Sequence, residues 1–254
     1  MLVEERRSRL LELVRQRRFA SLPELVEALR VSESTIRRDL EQLEEQGTAK
    51  RIHGGVLYAG GSPKLPHFEG RQPARWEQKQ AIARRTVELI DDGDTVLLDG
   101  GSTTFEVARL LVGRPLHVVT TSLPVANLFA ADSGSDLVVI GGNICPRSGV
   151  AQGPVAEKMI SELRVGKTVL SVAGITEEGF FNNNLLLVET ERAMMRAADE
   201  VVVVADSSKF GRQSLARLCD LSAPDILVVD DEISRQWRLR TVSQLKLLVA
   251  GGGA

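Results

Sequence analysis

The chain has 254 residues, 43% of them apolar, with 32 basic and 34 acidic side chains for a formal net charge of -2. That size and apolar fraction imply one large or two unequal globular domains, and the balanced charge leaves nucleic-acid binding to the placement of particular basic residues. The longest apolar runs, such as residues 185–188 and 201–205, are far below the roughly 20 residues that cross a bilayer. The start of the chain is rich in arginine but also in glutamate, and it lacks the apolar stretch of a secretory signal, so a soluble cytoplasmic protein is expected, with no membrane partner. Cys145 and Cys219 have no Cys or His neighbour at ligand spacing, and His53, His67 and His117 form no constellation. Neither a disulfide, a metal nor a cofactor is expected.

In chain order, Leu10, Leu13 and Val14 fall at helical spacing among charges over residues 3–18. Ser21-Leu22-Pro23-Glu24 is a Ser-x-x-Glu capping box and opens a second helix that ends near Arg30. Val31 and a capping Ser32 leave only a tight turn before a third helix, where Ile36, Leu40 and Leu43 form a narrow apolar stripe up to a helix-ending Gly47. Stepping about 100° per residue from Ile36, Ser34, Arg38 and Glu41 point outward, with Thr35 and Arg37 on the flanks.

A short helix bracing a third with a polar, partly basic outer face is the plan of a helix-turn-helix, whose recognition helix enters the major groove of double-stranded DNA. On that plan Arg37 and Arg38 meet phosphates or guanine edges, and Ser32, Ser34 and Thr35 make short contacts near the helix start. Residues 48–57 read as a β wing around a glycine pair, with Lys50, Arg51 and His53 placed to touch backbone or minor groove. A three-helix dimerisation or capping module with solvated arginines would use the same pattern.

Residues 58–75 hold Gly60, Gly61, Pro63, Pro66, Gly70 and Pro73 without hydrophobic periodicity, the composition of a connector. The expected division is therefore a winged helix-turn-helix over 1–57, a linker over 58–75 and a larger domain over 76–254. In that larger domain, helices at 78–90, 104–111 and 124–131 alternate with strands at 95–99, 116–120 and 136–140, and further strands are expected at 168–172, 200–205, 225–229 and 245–249. Short Val/Leu/Ile strands between helices predict an α/β fold with a mostly parallel sheet covered on both faces.

The turns after those strands carry the candidate chemistry. Gly100-Gly101-Ser102-Thr103-Thr104 runs from a strand into a helix, gathering backbone N–H groups and hydroxyls at a positive helix N-terminus that suits a phosphate, although such turns also serve purely structural ends. Thr120-Thr121-Ser122, Gly141-Gly142 and Asp206-Ser207-Ser208-Lys209 follow other strands, and loops at the carboxyl ends of an open parallel sheet converge on one crevice. Lys209 could supply a point charge for a phosphate, and Asp99 or Asp206 could accept from sugar hydroxyls. Trp76 and Trp237 are expected as packing anchors.

Val31-Ser32-Glu33-Ser34-Thr35-Ile36-Arg37-Arg38-Asp39-Leu40, with Arg51-Ile52-His53-Gly54-Gly55 downstream, closely resembles the signature of DeoR-type transcriptional regulators. The larger domain is similar to the DeoR-type sensor through Leu98-Asp99-Gly100-Gly101-Ser102-Thr103-Thr104, Val119-Thr120-Thr121-Ser122-Leu123 and Ala205-Asp206-Ser207-Ser208-Lys209-Phe210-Gly211. The resemblance implies a repressor of a carbohydrate operon that is a homodimer or homotetramer. It also implies a domain like ribose-5-phosphate isomerase that binds a phosphorylated sugar or related metabolite through Asp99, Gly101, Ser102, Thr103, Thr104, Thr120, Ser122, Gly141, Gly142 and Lys209. The chain departs from the family pattern at Phe180-Phe181-Asn182-Asn183-Asn184 and at Glu191, where relatives often carry Lys. Glu191 either bears on ligand charge or sits on a solvated helix face. An isomerase using Asp99 or Glu189 as base is the competing reading, and a DNA-reading head counts against it.

Overall fold

The computed structural model describes residues 3–17, 19–45, 49–52, 55–58 and 68–251. Contacts divide the chain into two compact units, Met1–Pro66 and His67–Ala254.

The first unit contains α1 (Val3–Arg17), β1 (Phe19–Ser21), α2 (Leu22–Leu29), α3 (Glu33–Glu45), β2 (Ala49–Ile52) and β3 (Gly55–Tyr58). The capping box forms at the start of α2, where the Ser21 N–H donates to Glu24 Oε2 at 2.7 Å. Leu10 and Val14, Leu25 and Leu29, and Ile36, Leu40 and Leu43 meet in one core with Ala20 and Val56. The antiparallel sheet has the order β1-β3-β2. Its first strand is only three residues long, too short to leave a periodic trace, so the wing has one strand more than the sequence predicts.

The second unit begins with α4 (Phe68–Arg71) and α5 (Trp76–Val87), then β4 (Thr95–Leu98), α6 (Ser102–Leu111), β5 (His117–Thr120), α7 (Leu123–Phe129) and β6 (Asp136–Val139). A hairpin of β7 (Asn143–Cys145) and β8 (Val150–Gln152) leads into α8 (Pro154–Ser161) and β9 (Val165–Ser171). After it come β10 (Gly174–Thr176), β11 (Gly179–Asn182), α9 (Leu185–Ala197), β12 (Ala198–Val204), β13 (Ala216–Cys219), β14 (Ile226–Asp230), α10 (Arg235–Val242) and β15 (Lys246–Ala250).

Seven strands form a parallel sheet in the order β15-β14-β12-β9-β4-β5-β6. Alternate side chains serve its two faces, as pleating requires. Leu97, Val119, Leu170, Val203 and Leu227 pack with Ala156 and Ile160 of α8 and Val188, Ala193 and Met194 of α9. Val96, Leu98, Val118, Val169, Val202 and Val228 pack with Ile82 of α5, Val107 and Leu111 of α6 and Phe129 of α7. Both faces are covered, which is why these strands read as continuous apolar runs.

The strand order sets the switch point of the sheet. From β4 the chain proceeds outward through β5 and β6, and from β9 it proceeds the other way through β12, β14 and β15. The carboxyl ends of β4 and β9 therefore flank the switch point, where open α/β sheets bind ligands.

Three local expectations need correction. Residues 68–75, read as linker from their Gly and Pro content, lie within the second unit, because Phe68 packs edge-to-face on Phe105 with centroids 5.2 Å apart. Trp76 is 51% exposed and anchors no packing, whereas Trp237 packs on Phe210 at 5.3 Å. Glu191 does not sit on a solvated face; its residue exposure is 0%.

Candidate functional site

The outward face of α3 is set by its apolar stripe. Ser34, Arg37 and Arg38 are exposed, and Thr35 is half-buried. Ser32 caps the helix, with its Oγ 2.8 Å from Thr35 Oγ1 and 3.0 Å from Ser34 Oγ. Arg37 is held by Glu33 one turn back, donating from Nε at 3.0 Å and Nη2 at 2.6 Å. Arg38 has no ion pair among the described residues and projects its full charge. Behind this face, buried Asp39 accepts from Arg6 Nε at 2.5 Å and Arg7 Nε at 3.0 Å, which locks α3 to α1. The backbone of Lys50 and Arg51 lies in β2. The side chains of these two, and the whole of Gly47 and His53, lie outside the described residues.

At the crevice, Asp99 follows β4 and is buried. Its Oδ2 accepts from the Ser171 hydroxyl at 2.8 Å and the Ser171 N–H at 3.2 Å, joining the two central strands. Burial pushes the Asp99 carboxyl up, opposed by these hydrogen bonds, the Gly100 N–H and the charge of Arg71. Gly101 lies so close to β9 that a Cβ there would fall 1.7 Å from Ser171 Oγ, and one at Gly100 would fall 2.1 Å from Val150 Cγ2. Glycine is required at both positions for this approach.

Ser102, Thr103 and Thr104 form the first turn of α6, all buried, and the Thr104 hydroxyl has no hydrogen-bond partner among the described residues. Thr120 and Ser122 spend their hydroxyls locally: Thr120 Oγ1 donates to the Leu98 carbonyl at 2.8 Å and accepts from the Ser122 N–H at 3.0 Å, while Ser122 Oγ accepts from the Val125 N–H. These two residues shape the loop. The neighbouring Thr121 hydroxyl is buried without a partner. Gly141 and Gly142 meet the hairpin and α8 instead, a Cβ at Gly142 falling 3.1 Å from Ala156 Cβ and 3.2 Å from the Gln152 carbonyl.

The cations arrive from elsewhere in the chain. Lys209 ends a 3-10 turn after β12, with Nζ 3.8 Å from Asp206 Oδ2, and burial pushes its pKa down. Two further cations belong to the cluster and escape sequence reasoning. Lys79 on α5 is 4% exposed, donates to the Arg71 carbonyl, and is pushed down to about 8 by burial, with Lys209 and Arg71 adding to the effect. Arg71 on α4 senses the charges of Asp99, Lys79 and Lys209. Its only sequence signal was the Phe68/Arg71 spacing of one helical turn within the assumed connector. Asn182 and Glu191 lie beyond Ser171: the Asn182 amide donates to the Ser171 carbonyl at 3.2 Å and to the Glu191 carboxyl. A separate depression lined by Glu177, Glu178, Arg217, Asp220 and Arg240 holds the Arg240–Glu177 and Arg217–Asp220 pairs.

A winged helix-turn-helix followed in one chain by an α/β unit is the plan of a transcriptional regulator. The family comparisons agree. Residues 6–60 match the DeoR-like helix-turn-helix domain and residues 74–231 match the DeoR C terminal sensor domain. The chain belongs to the DeoR family. It is 34% identical to the glycerol-3-phosphate regulon repressor of Escherichia coli (strain K12), over 89% of this chain and 90% of the relative. It is 31% identical to the transcriptional repressor AccR of Agrobacterium fabrum, over 89% of each chain. With the HTH-type transcriptional repressor GlcR of Bacillus subtilis the identity is 30%, over 91% of this chain and 89% of that one. These relatives are regulators, and the chain is a regulator rather than an enzyme. Ribose 5-phosphate isomerase A from Methanocaldococcus jannaschii superposes with a TM-score of 0.39 at 21% identity, covering 53% of this chain and 54% of that one. Among the described residues, no helix is long and apolar enough to cross a membrane.

Proposed function

We propose that this chain is a sequence-specific repressor of a carbohydrate operon that releases its DNA when a phosphorylated sugar or a related phosphorylated metabolite occupies the crevice between β4 and β9. The observation that carries this reading is that Arg71, Lys79 and Lys209 lie close enough to feel one another's charge, and that Arg71 also feels Asp99, which stands just before the Gly100-Gly101 turn into α6. A helix N-terminus and cations together suit a phosphoryl group, and Asp99 offers an acceptor for a hydroxyl. Ser102, Thr103 and Thr104 would donate to the phosphoryl oxygens. Gly101 lets the helix start reach β9, and Thr120, Ser122, Gly141 and Gly142 shape the neighbouring loops. The name of one relative, the glycerol-3-phosphate regulon repressor, carries a compound of the same ligand class.

In this reading residues 1–57 read operator DNA through Ser32, Ser34, Thr35, Arg37 and Arg38, with Lys50, Arg51 and His53 reaching backbone from the wing. Residues 76–254 sense the ligand and hold the oligomer together. At least a dimer is required to pair two half-sites. Ligand acts by binding the DNA-free and DNA-bound forms with different affinity.

A thermal-shift screen of the full chain against phosphorylated sugars and their unphosphorylated counterparts tests this reading, since a ligand that binds only the folded state raises its melting temperature. Shifts confined to phosphorylated compounds are expected. A shift with none of them at millimolar concentration would remove the phosphoryl reading of the crevice.

A further inference from the structure

Residues 68–75 form a strap between the DNA-binding residues and α5 in sequence, and each part of it is tied to the second unit. At one end Phe68 packs on Phe105 of α6, and its N–H donates to the Arg147 carbonyl at 2.9 Å. At the other end Arg75 adopts the left-handed conformation, φ 52 and ψ 44, which costs a non-glycine residue about 1 kcal/mol or more. Its guanidinium faces Glu232 at 2.5 Å, Asp206 at 3.3 Å and Asp230 at 3.8 Å, and these carboxylates hold the unusual backbone in place. Between the two ends, Lys79 donates to the carbonyls of Arg71 and Gln72.

Arg71, unlike Arg75, faces no carboxylate within ion-pair distance among the described residues. Its guanidinium lies over the Phe68 ring, 5.8 Å from the centroid, and it has no ion pair among the described residues. Its Nε, like that of Arg75, is buried without a hydrogen-bond partner among the described residues. Arg71 as a whole is half-buried, and a charged donor with an open hydrogen-bonding position there gains from an acceptor. Asp99 is the nearest carboxylate influence, but it is bonded to Ser171.

We propose that Arg71 grips the phosphoryl group of the effector, opposite Lys209, so that an occupant of the crevice bonds directly to the strap that continues into the DNA-binding head. This inference rests on the phosphorylated-effector reading above. A planar guanidinium matches two phosphoryl oxygens at once, which a lysine cannot do, so the strap contributes the orienting contact and Lys209 a point charge. Asp206 stands within 3.3 Å of Arg75 and 3.8 Å of Lys209, so the carboxylate that anchors the strap also balances the effector's lysine. A phosphoryl group that draws on Lys209 leaves Asp206 to Arg75. Occupancy and strap anchoring are thereby coupled through one residue.

The test uses the full chain, inorganic phosphate as the probe, and two readouts, thermal shift and hydrogen exchange of the amides over residues 68–75. In the wild type, phosphate raises the melting temperature and slows strap exchange. Arg71→Gln, which removes the charge but keeps a polar side chain, and Arg71→Ala should raise the phosphate concentration for half effect by about tenfold or more and lose the strap protection. Arg71→Gln binding phosphate as tightly as the wild type, with Lys209→Ala impaired, overturns the assignment of Arg71 and leaves the effector reading standing. A wild type that does not respond to phosphate or to any phosphorylated sugar overturns both.

Discussion

The side-chain amide of Asn182 donates to both carboxyl oxygens of Glu191, at 2.6 and 2.8 Å, inside the sensor unit. Burial, with the charge of Asp99 adding to it, holds Glu191 well above the ordinary carboxyl range, against the Asn182 hydrogen bonds that favour the anion. The same environment pushes the neighbouring Cys219 thiol up to about 12, burial first and Glu191 second. The β9 end therefore backs onto a carboxyl whose ionised form burial disfavours, in a position where a second anionic group on the ligand would gain no cation.

A raised folded-state pKa means that the native protein keeps a proton that the unfolded chain releases. Stability from this group is present below the ordinary glutamate pKa of about 4.3 and is lost as pH rises toward the folded value, with a slope of at most about 1.4 kcal/mol per pH unit. Glu191→Gln is neutral at every pH. Melting temperatures taken between about pH 5 and pH 8 should fall more steeply for the wild type than for the variant, and parallel curves would contradict a buried neutral acid.

Gly101→Ala places a methyl against Ser171, 1.7 Å from its Oγ and 2.5 Å from its Cβ. The strand ends must part, which costs about 1–3 kcal/mol as an overpacked contact and separates Asp99 from Ser171. Ser171→Gly removes both clashing atoms. Urea titrations of the two single variants and the double variant should show that Gly101→Ala costs less in the Ser171→Gly background, and simple additivity would remove the close approach as the reason for glycine.

Much of this arrangement was legible in the sequence because the parallel strands carry dense Val/Leu/Ile runs and the hydroxyl-rich turns follow directly at their ends. Asp99, Ser102, Thr103, Thr104 and Lys209 are found that way. The strap was not, since Pro66, Gly70 and Pro73 mask a single helical turn and nothing local shows that Phe68 meets Phe105. The strands β7, β10, β11 and β13 have three or four residues each and pair antiparallel outside the main sheet, below the length at which alternation can be read. Glu191 was ambiguous because it lies only two positions from exposed Glu189, and only the position of α9 over the sheet decides which of them is buried.

In the DNA-binding unit, Asp39 ties α3 to α1 through Arg6 and Arg7. Burial pushes its carboxyl up, but the hydrogen bonds from the two arginines outweigh this and hold it below the usual range. Its stabilising contribution is therefore present above about pH 3.9, the unfolded value, and is lost as pH falls through the lower folded value. Asp39→Asn leaves two arginines facing an amide and should cost the first unit about 3 kcal/mol. Calorimetry of the full chain should show an early transition for that unit with the sensor transition unmoved; a single unshifted endotherm would remove the proposed lock.

Arg38→Ala should weaken binding to a DNA fragment selected by the wild-type protein by about 1–3 kcal/mol. Arg37→Ala should cost less, because its guanidinium is already paired with Glu33. Fluorescence anisotropy over a range of salt concentrations checks both. Undiminished affinity in the Arg38 variant would remove α3 as the reading helix.

The most direct test of the account is release of the selected DNA by a phosphorylated compound that raises the melting temperature, followed by anisotropy for the wild type and Lys209→Ala. The account predicts that both proteins bind the DNA alike, that the compound releases the wild type, and that the variant stays bound at the same concentration. Release of Lys209→Ala with an unchanged dose response would contradict it, because the crevice would then not be the place where the ligand acts.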